Sequence, residues 1–490
     1  MSMTSRATTA LLLSALAALC LTFSSALCGQ HAADSLLGAL MSLDRLTWFY
    51  WAQDRLGNLI PAMAWVIRDP EWNMTAQVLI RTFSTNVGLL MLVLFLSPRR
   101  IVLKWLCALA VLLVAFNPIG RQAFWIEGQP YGPSLALVLL AWIAHRAAGG
   151  RPLPQAAGLH LAGLAVMATA YYVNQSLLLV TVPLWAGVLV LFRRRIDAVM
   201  LASALLGYWL AKVHVRWATA GGTSAKYGTL TPSLDSLWKS FDQLVAFFDM
   251  RIVGALVLAA AAAGLLSALT RPAEDREHLL RAAVMAASAL AAAAVVSQID
   301  WVRISLYSVR YFQVYVVMIA AAAVSVLVDV VADRLPAGRP KAVAGSLSAG
   351  LAAYLIASAT FPLDLQCEFR DRVRFAGILK GIELSRENDA RLYLGSYWYV
   401  WSAIYADRVR DRDVPVFGLA PRWEVLADRL HAAHPPGVDH AGVCFEKSAE
   451  ICATYLAHGG FTLSPGFEPR TEAVLPDGTE VILLRFRRAG

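Results

Sequence analysis

The sequence predicts a mostly α-helical protein: a polytopic bundle of membrane-spanning helices followed by a C-terminal extracytoplasmic α/β domain. Three observations carry that prediction. Of 490 residues, 58% are hydrophobic and only 16% are charged, against about 25% charged in a soluble globular domain. Apolar runs of bilayer-crossing length, about 17 to 25 residues each, recur from the N-terminus to about residue 360. Beyond residue 361 they stop and the charge density becomes ordinary.

The apolar runs lie at roughly 9–28, 76–96, 101–117, 133–148, 156–173, 175–192, 196–215, 252–270, 281–298, 312–330 and 342–360, about eleven spans. They define a membrane domain over 1–360 and leave 361–490 as a separate domain. The net charge of +9 is distributed as a topology signal rather than as a nucleic-acid surface. Arg6, Arg99, Arg100, Lys104, Arg146, Arg151, Arg193, Arg194, Arg195, Arg271, Arg276, Arg334, Arg339 and Lys341 all fall on one side once the spans alternate. Basic loops stay in the cytoplasm. The N-terminus is therefore placed in the cytoplasm, the spans in the inner (cytoplasmic) membrane and the C-terminal domain in the periplasm. A cleaved signal peptide competes for residues 1–28, but the apolar stretch is longer than a usual signal core, which favours a retained first helix.

In the C-terminal domain, residues 390–395, 414–419, 440–446 and 480–488 read as strands, and 396–408 and 422–433 as helices. Alternating strands and helices predict a small α/β domain large enough to fold alone. Cys444 and Cys452, close in sequence within it, predict a disulfide on an oxidising side of the membrane. Cys28 and Cys367 either pair or stay free, while Cys20 and Cys107 read as small buried hydrophobes. No His or Cys spacing resembles a metal finger or a redox motif, and there is no Gly-rich phosphate loop. No nucleic-acid partner is indicated. The sequons at Asn73 and Asn174 are given no role.

Ionisable residues in a membrane chain are costly unless they pair or line water, so their positions are informative. Here they gather at the outward ends of the spans. The first outer loop carries Asp44, Asp54 and Arg55, the second Arg121 and Glu127, and the third turn Asn174 and Gln175 after Tyr171 and Tyr172. The fifth loop, "SQIDWVRISLYSVRYF", carries Asp300, Arg303, Arg310 and Tyr311. An outer vestibule lined by carboxylates, arginines and aromatics accounts for this pattern.

The stretch "LDRLTWFYWAQDRLGNLIP", the large first outer loop, the ten or more spans and the outer C-terminal domain together resemble the GT-C superfamily of polytopic membrane glycosyltransferases. The resemblance covers the whole chain as architecture; at the level of residues it is confined to that stretch and, more weakly, to "SVRYF". Asp44, Trp51, Ala52, Gln53 and Pro61 stand at the positions of the first-loop motif, whereas the acid that often follows the first Asp is replaced by Arg45. The resemblance implies an inverting enzyme that moves a sugar from a polyprenyl-phosphate donor to a cell-envelope glycan or lipid acceptor on the outer face. Membrane lipids are then its surroundings and the lipid-linked sugar its partner. It names no certain cofactor and leaves a divalent metal, Mg or Mn, open.

Two acids compete for the base. Asp44 matches the superfamily spacing, and Asp54 sits in the most distinctive stretch; were 43–56 helical, both would face one side. Asp44 is favoured as base and Asp54 as acceptor-site or structural acid. Arg310 with Tyr311 resembles the phosphate-binding arginine and its neighbour, and Arg303, two helical turns earlier, is expected on the same face. Gln53, Arg55, Tyr50, Trp51, Glu127, Asn174 and Gln175 are expected to line the substrate cavity. The bland readings are interfacial anchors for Trp48, Tyr50, Trp51, Asp54 and Arg55, and snorkelling for Arg310. A lipid-linked-sugar transporter or flippase would place its site near midplane in repeated halves, and no internal repeat is visible. A non-catalytic assembly protein needs no outer cluster of acids and arginines. A polysaccharide ligase or polymerase would use a longer middle or late loop than 216–251.

Overall fold

A computed structural model describes the protein outside residues 1–2, 23–32, 52–56, 117–124, 126–130, 219–228, 248–249, 271–275, 411–415, 489–490 and most of 335–371. The chain forms two compact units. The first comprises Met1–Leu27, Asp54–Gly57 and Val78–Ala359, and the second Cys28–Gln53, Asn58–Gln77 and Thr360–Gly490. Two stretches between residues 28 and 77 thus group with the C-terminal residues.

The first unit is helical because a bilayer supplies no hydrogen bonds to peptide groups, so each span must satisfy its own backbone. Among the described residues six helices are long and apolar enough to cross: Pro70–Leu96, Leu153–Val173, Gln175–Phe192, Arg195–Ala218, Glu277–Val296 and Gln313–Ala332. Leu11–Thr22, Ile101–Ala115 and Arg251–Ser267 are shorter apolar helical stretches. Most of the expected span 342–360 lies outside the described residues. Local chemistry sets the breaks. Arg100 and Arg193 take left-handed backbone conformations, with φ of 51° and 52°, at the junctions beside Ile101–Ala115 and Leu178–Phe192. Asn174 ends the helix Leu153–Val173 and accepts from the main-chain N–H of Ser176 to start the next turn.

Several buried polar groups inside this unit are paired. Lys104, counted in sequence with the cytoplasmic basic residues, is instead fully buried, and its Nζ donates to Asp329 Oδ2 at 2.6 Å. Arg100 lies 3.7 Å from the same carboxylate and 2.6 Å from Asp333. These contacts tie the helix Ile101–Ala115 to Gln313–Ala332. Thr22 and Thr82, 3.0 Å apart, join the first helix to Pro70–Leu96 in the same way.

In the second unit a six-stranded mixed sheet runs in the order β2-β1-β3-β6-β4, with β5 also paired to β6. The strands are β1 (Leu392–Gly395), β2 (Phe417–Leu419), β3 (Asp439–Glu446), β4 (Phe461–Leu463), β5 (Arg470–Val474) and β6 (Glu480–Arg488). β1 pairs in parallel with β2 and β3, while β6 runs antiparallel to β3, β4 and β5. Leu394, Leu419, Cys444, Leu456, Ile482 and Phe486 belong to the core cluster of this sheet. β1 ends at Gly395, with φ of 110°, where a Cβ would meet Phe445 O at 2.5 Å, so only glycine fits. Cys444 and Cys452 form a disulfide in this core with Cα atoms 6.1 Å apart, and closing so short a loop contributes about 2–3 kcal/mol.

The expected helix over 422–433 is broken. Arg422 has φ of 85°, Trp423–Leu426 is a 3₁₀ turn, and the α-helix runs only over Ala427–Ala433. The helices Arg372–Glu387 and Ala449–His458 and the strands β4 and β5 had no sequence assignment. β5 has no fully buried position and β4 only three residues, so neither carries an alternating apolar pattern.

Breaking a buried pair by removing one partner typically costs about 3–5 kcal/mol, because the other charge is left uncompensated. Lys104→Met should therefore lower the thermal stability of the purified protein sharply. Lys104→Met combined with Asp329→Leu should recover most of the loss in the same melting experiment.

Candidate functional site

Asp44 lies directly after the helix Ala33–Leu43, its main-chain N–H donating to Leu40 O at 2.8 Å. The residues that follow, to Trp51, are irregular rather than helical. The helical spacing that would align Asp44 with Asp54 is therefore absent. The Asp44 carboxylate accepts from Arg408, at the end of the helix Tyr397–Arg410, and its main-chain carbonyl accepts from Arg429 at 3.2 Å. Its side chain is 14% exposed. Burial pushes the Asp44 carboxyl above the ordinary aspartate range, and the Arg408 and Arg429 charges oppose that shift.

The neighbouring Arg45 points to the same set of elements. It donates to Val425 O at 2.8 Å and to both oxygens of Asp428 at 3.1 and 3.2 Å. The arginine that replaces the second acid of the first-loop motif thus serves contacts within the second unit. Both partners are well exposed, so the ion pair adds little stability.

The aromatic stretch is built into the second unit rather than forming a belt. Trp51 is 1% exposed, its ring centroid lies 5.7 Å from that of Trp401 in an edge-on pair, and its Nε1 donates to Arg45 O at 3.0 Å. The Arg422 guanidinium stands over the rings of Tyr50 and Tyr397 at 4.8 and 5.0 Å, a cation–π arrangement. Only Trp48 is exposed. Two buried amides shape this stretch. Asn58 Nδ2 donates to Phe49 O at 2.7 Å and Thr47 O at 3.0 Å. Asn73 Nδ2 donates to Ser42 Oγ, Ala64 O and Ile67 O at 2.8–2.9 Å, and Gln77 Nε2 donates to Gly38 O and to Asn73 Oδ1. The Asn73 sequon is occupied by packing, not by an accessible amide.

In the first unit, the C-terminal end of Glu277–Val296 leads into the short helix Asp300–Ile304 and the 3₁₀ turn Val309–Tyr311. Leu306 and Tyr307 between them have φ of 51° and 53°. Arg303 and Arg310 therefore do not share a face of one helix, contrary to the expectation from spacing. Arg303 lies 3.3 Å from Asp300 Oδ1, and Asp300 also accepts from the hydroxyls of Thr229 and Thr231. Those hydroxyl bonds hold the Asp300 carboxyl below its ordinary value. Arg310 is partly buried; its guanidinium lies 5.1 Å from the Tyr311 ring centroid and donates to the Tyr311 hydroxyl at 3.2 Å. Tyr311 OH donates onward to Ser305 Oγ at 3.4 Å.

Asn174 is 3% exposed and spends its Oδ1 on the Ser176 N–H and hydroxyl, at 3.0 and 2.7 Å, so it acts as a cap. Its Nδ2 is buried with no hydrogen-bond partner among the described residues. Gln175 opens the 3₁₀ turn that follows. Gly57 donates to Tyr172 O at 2.8 Å, and a Cβ on it would meet the Tyr172 ring at 2.5 Å. The glycine of "RLGN" is thus required by close approach of the chain to that helix end. Gln53, Asp54, Arg55 and Glu127 lie outside the described residues.

Taken along its length, the chain is similar to two crystal structures of ArnT from Cupriavidus metallidurans. The apo state matches with a TM-score of 0.53 at 12% identity over 98% of both chains. The structure bound to undecaprenyl phosphate matches with a TM-score of 0.50 at 14% identity, over 96% of this chain and 97% of that one. The chain has the GT-C fold. No family model matches the sequence, and no curated protein does. The apolar helices and the GT-C fold describe a multi-pass membrane protein.

Among the described residues no group of three or more His, Cys, Asp or Glu side chains is arranged to hold a metal ion. The donor set at Asp44, one carboxylate held by Arg408 with Arg429 on its main-chain carbonyl, does not fit a divalent cation. Sequence reasoning missed Arg408, Arg422 and Arg429. Each sits in or beside a C-terminal segment that reads as ordinary helix, and no local pattern links them to a residue hundreds of positions earlier. Replacing Arg408 by Leu leaves the Asp44 carboxylate buried beside only the more exposed Arg429. It should destabilise the second unit by about 2–3 kcal/mol, below the full figure for a completely buried pair. Faster limited proteolysis of the C-terminal region would register this, and adding Asp44→Asn should restore most of the protection.

Proposed function

We propose that this protein is an inverting membrane glycosyltransferase that uses a polyprenyl-phosphate sugar and delivers the sugar to a cell-envelope glycan or lipid acceptor. The observation that carries the reading is the near-full-length GT-C fold shared with ArnT, which has been crystallised bound to undecaprenyl phosphate. The distribution of basic loops supports a site on the periplasmic side of the inner membrane, with the C-terminal residues outside.

In this mechanism the acceptor hydroxyl attacks the anomeric carbon from the face opposite the lipid phosphate. The new C–O bond forms as the bond to the phosphate oxygen breaks, and the lipid phosphate leaves with the electron pair. A carboxylate takes the hydroxyl proton as attack develops. Asp44 is assigned that role, since burial raises its basicity and Arg408 fixes its orientation. Arg310, braced against Tyr311, answers the charge developing on the leaving phosphate with a guanidinium that stays protonated and offers paired donors. Arg303 supports the same anion from its place beside Asp300.

A second reading of the base follows from one contact. Arg408 and Arg429 already hold Asp44, which suits a structural acid, and then Asp54 is the base. The two are separable. Asp44→Asn keeps an amide oxygen for Arg408. As base, its loss should reduce transfer by about 10²–10⁴ with the fold intact. As a structural acid it should lower stability more than rate, while Asp54→Asn takes the rate loss. Arg310→Lys keeps the charge but not the fork and should slow transfer on the order of ten-fold. A membrane assay with polyprenyl-phosphate sugars, following product and released lipid phosphate, checks all three; full activity in every variant overturns the mechanism. The raised Asp44 carboxyl also fixes a pH sign. The base works as the carboxylate, so activity must fall as pH drops through its pKa. The acid limb of kcat/KM should therefore lie above the ordinary aspartate value of about 3.9 and vanish in Asp44→Asn.

A further inference from the structure

The first unit contains a cavity of about 460 Å³ at the end of the bundle opposite Arg310. It is framed by the C-terminal ends of Pro70–Leu96 and Tyr131–Ala147 and the N-terminal ends of Arg195–Ala218 and Glu277–Val296. Asp300 and Arg310 follow the other end of Glu277–Val296, a helix about 30 Å long. The cavity therefore belongs to the side of the basic loops, which the distribution of Lys and Arg assigns to the cytoplasm.

Its lining is unusual in charge. Arg99, Arg146, Arg194 and Arg281 face it together with Glu277, and the buried Asp197 adds a second negative charge near Arg194 and Arg281. Four guanidinium groups against two carboxylates leave an excess of two positive charges. The inner pair is fixed in place. Arg194 forms a two-point contact with Glu277 at 2.8 and 2.6 Å, and Arg281 donates to Glu277 Oε1 from Nε at 2.9 Å. The Arg281 side chain is only 10% exposed, lying 5.2 and 5.5 Å from the ring centroids of Phe95 and Phe192. Arg146 stands over Trp142 at 5.3 Å. A pocket of this size suits a small ligand, and arginines in fixed positions suit phosphate oxygens. The adjacent helix ends expose Val190, Leu191 and Leu280, apolar surface suited to acyl chains.

We propose that this cavity binds the phosphate headgroup of an anionic lipid from the cytoplasmic leaflet. Basic pockets between helices on this side of a membrane are the sites where anionic headgroups are held. The proposal is separate from the transferase reading, because its readout is lipid binding and not sugar transfer.

The test is native mass spectrometry of the full chain in detergent, titrated with phosphatidylglycerol or phosphatidylcholine. Phosphatidylglycerol should be retained at least ten-fold better. Each cavity arginine lost should weaken it by about five-fold, so Arg99→Gln with Arg146→Gln should weaken it about 25-fold, and Arg146→Gln alone about five-fold should the pair fail to fold. Arg151→Gln with Arg195→Gln, exposed arginines outside the cavity lining, should leave retention unchanged. Equal retention in wild type and the cavity variants overturns the site, as does an equal loss in the control pair. Displacement of the lipid by an equal concentration of inorganic phosphate overturns the lipid as its source.

Discussion

The ion pair between Asp44 and Arg408 joins residues 364 positions apart in the chain, and much of the second unit is arranged around it. Arg429 grips the same residue through its main-chain carbonyl, Arg45 reaches Val425 and Asp428, and Trp51 packs on Trp401. Tyr405 OH adds a bond to Pro70 O at 3.3 Å. The segment before the span Pro70–Leu96 would otherwise be long and irregular, with its backbone and aromatic groups partly unsatisfied. Here Arg45, Asn58 and Asn73 find partners within a folded sheet-and-helix unit, and the rings of Phe49, Tyr50 and Trp51 are removed from water. A carboxylate held in one orientation and desolvated is also a carboxylate whose basicity has been raised.

The first unit is governed by a different constraint. Backbone groups in hydrocarbon must bond within their own helix, and a charge there must be neutralised. Lys104 with Asp329, and the threonine pair Thr22 with Thr82, are the local answers. Beyond the C-terminal end of Glu277–Val296, two left-handed residues, Leu306 and Tyr307, turn the chain between Arg303 and Arg310. At the basic end, Glu277 collects two arginines around a cavity. The two ends of one bundle therefore present guanidinium groups in different settings: Arg310 braced by a tyrosine, and Arg194 and Arg281 braced by a carboxylate.

Much of the architecture was legible without coordinates. A 20-residue apolar run has one stable form in a bilayer, so composition and length alone specify the helices and, through the basic loops, imply their sidedness. Strands such as Leu392–Gly395 and Glu480–Arg488 announce themselves by buried β-branched, leucine and aromatic residues. What failed was reasoning that carried a helical period through 43–56 or from Arg303 to Arg310. Helical phase holds only while the backbone stays helical, and neither segment does.

The sequence by itself determined that this is a membrane helix bundle with an α/β region after it. Those features follow from local composition and periodicity, which act over a few turns or one strand. It also singled out Asp44 and Arg310 as residues in costly or exposed settings. Only the tertiary structure decided that Arg45 serves Asp428, that Asn73 is a buried tie and that Asp44 is met by Arg408. It alone gathered four arginines around one cavity. Such partners are chosen by where distant segments meet, and a side chain's own neighbours in sequence carry no record of that meeting.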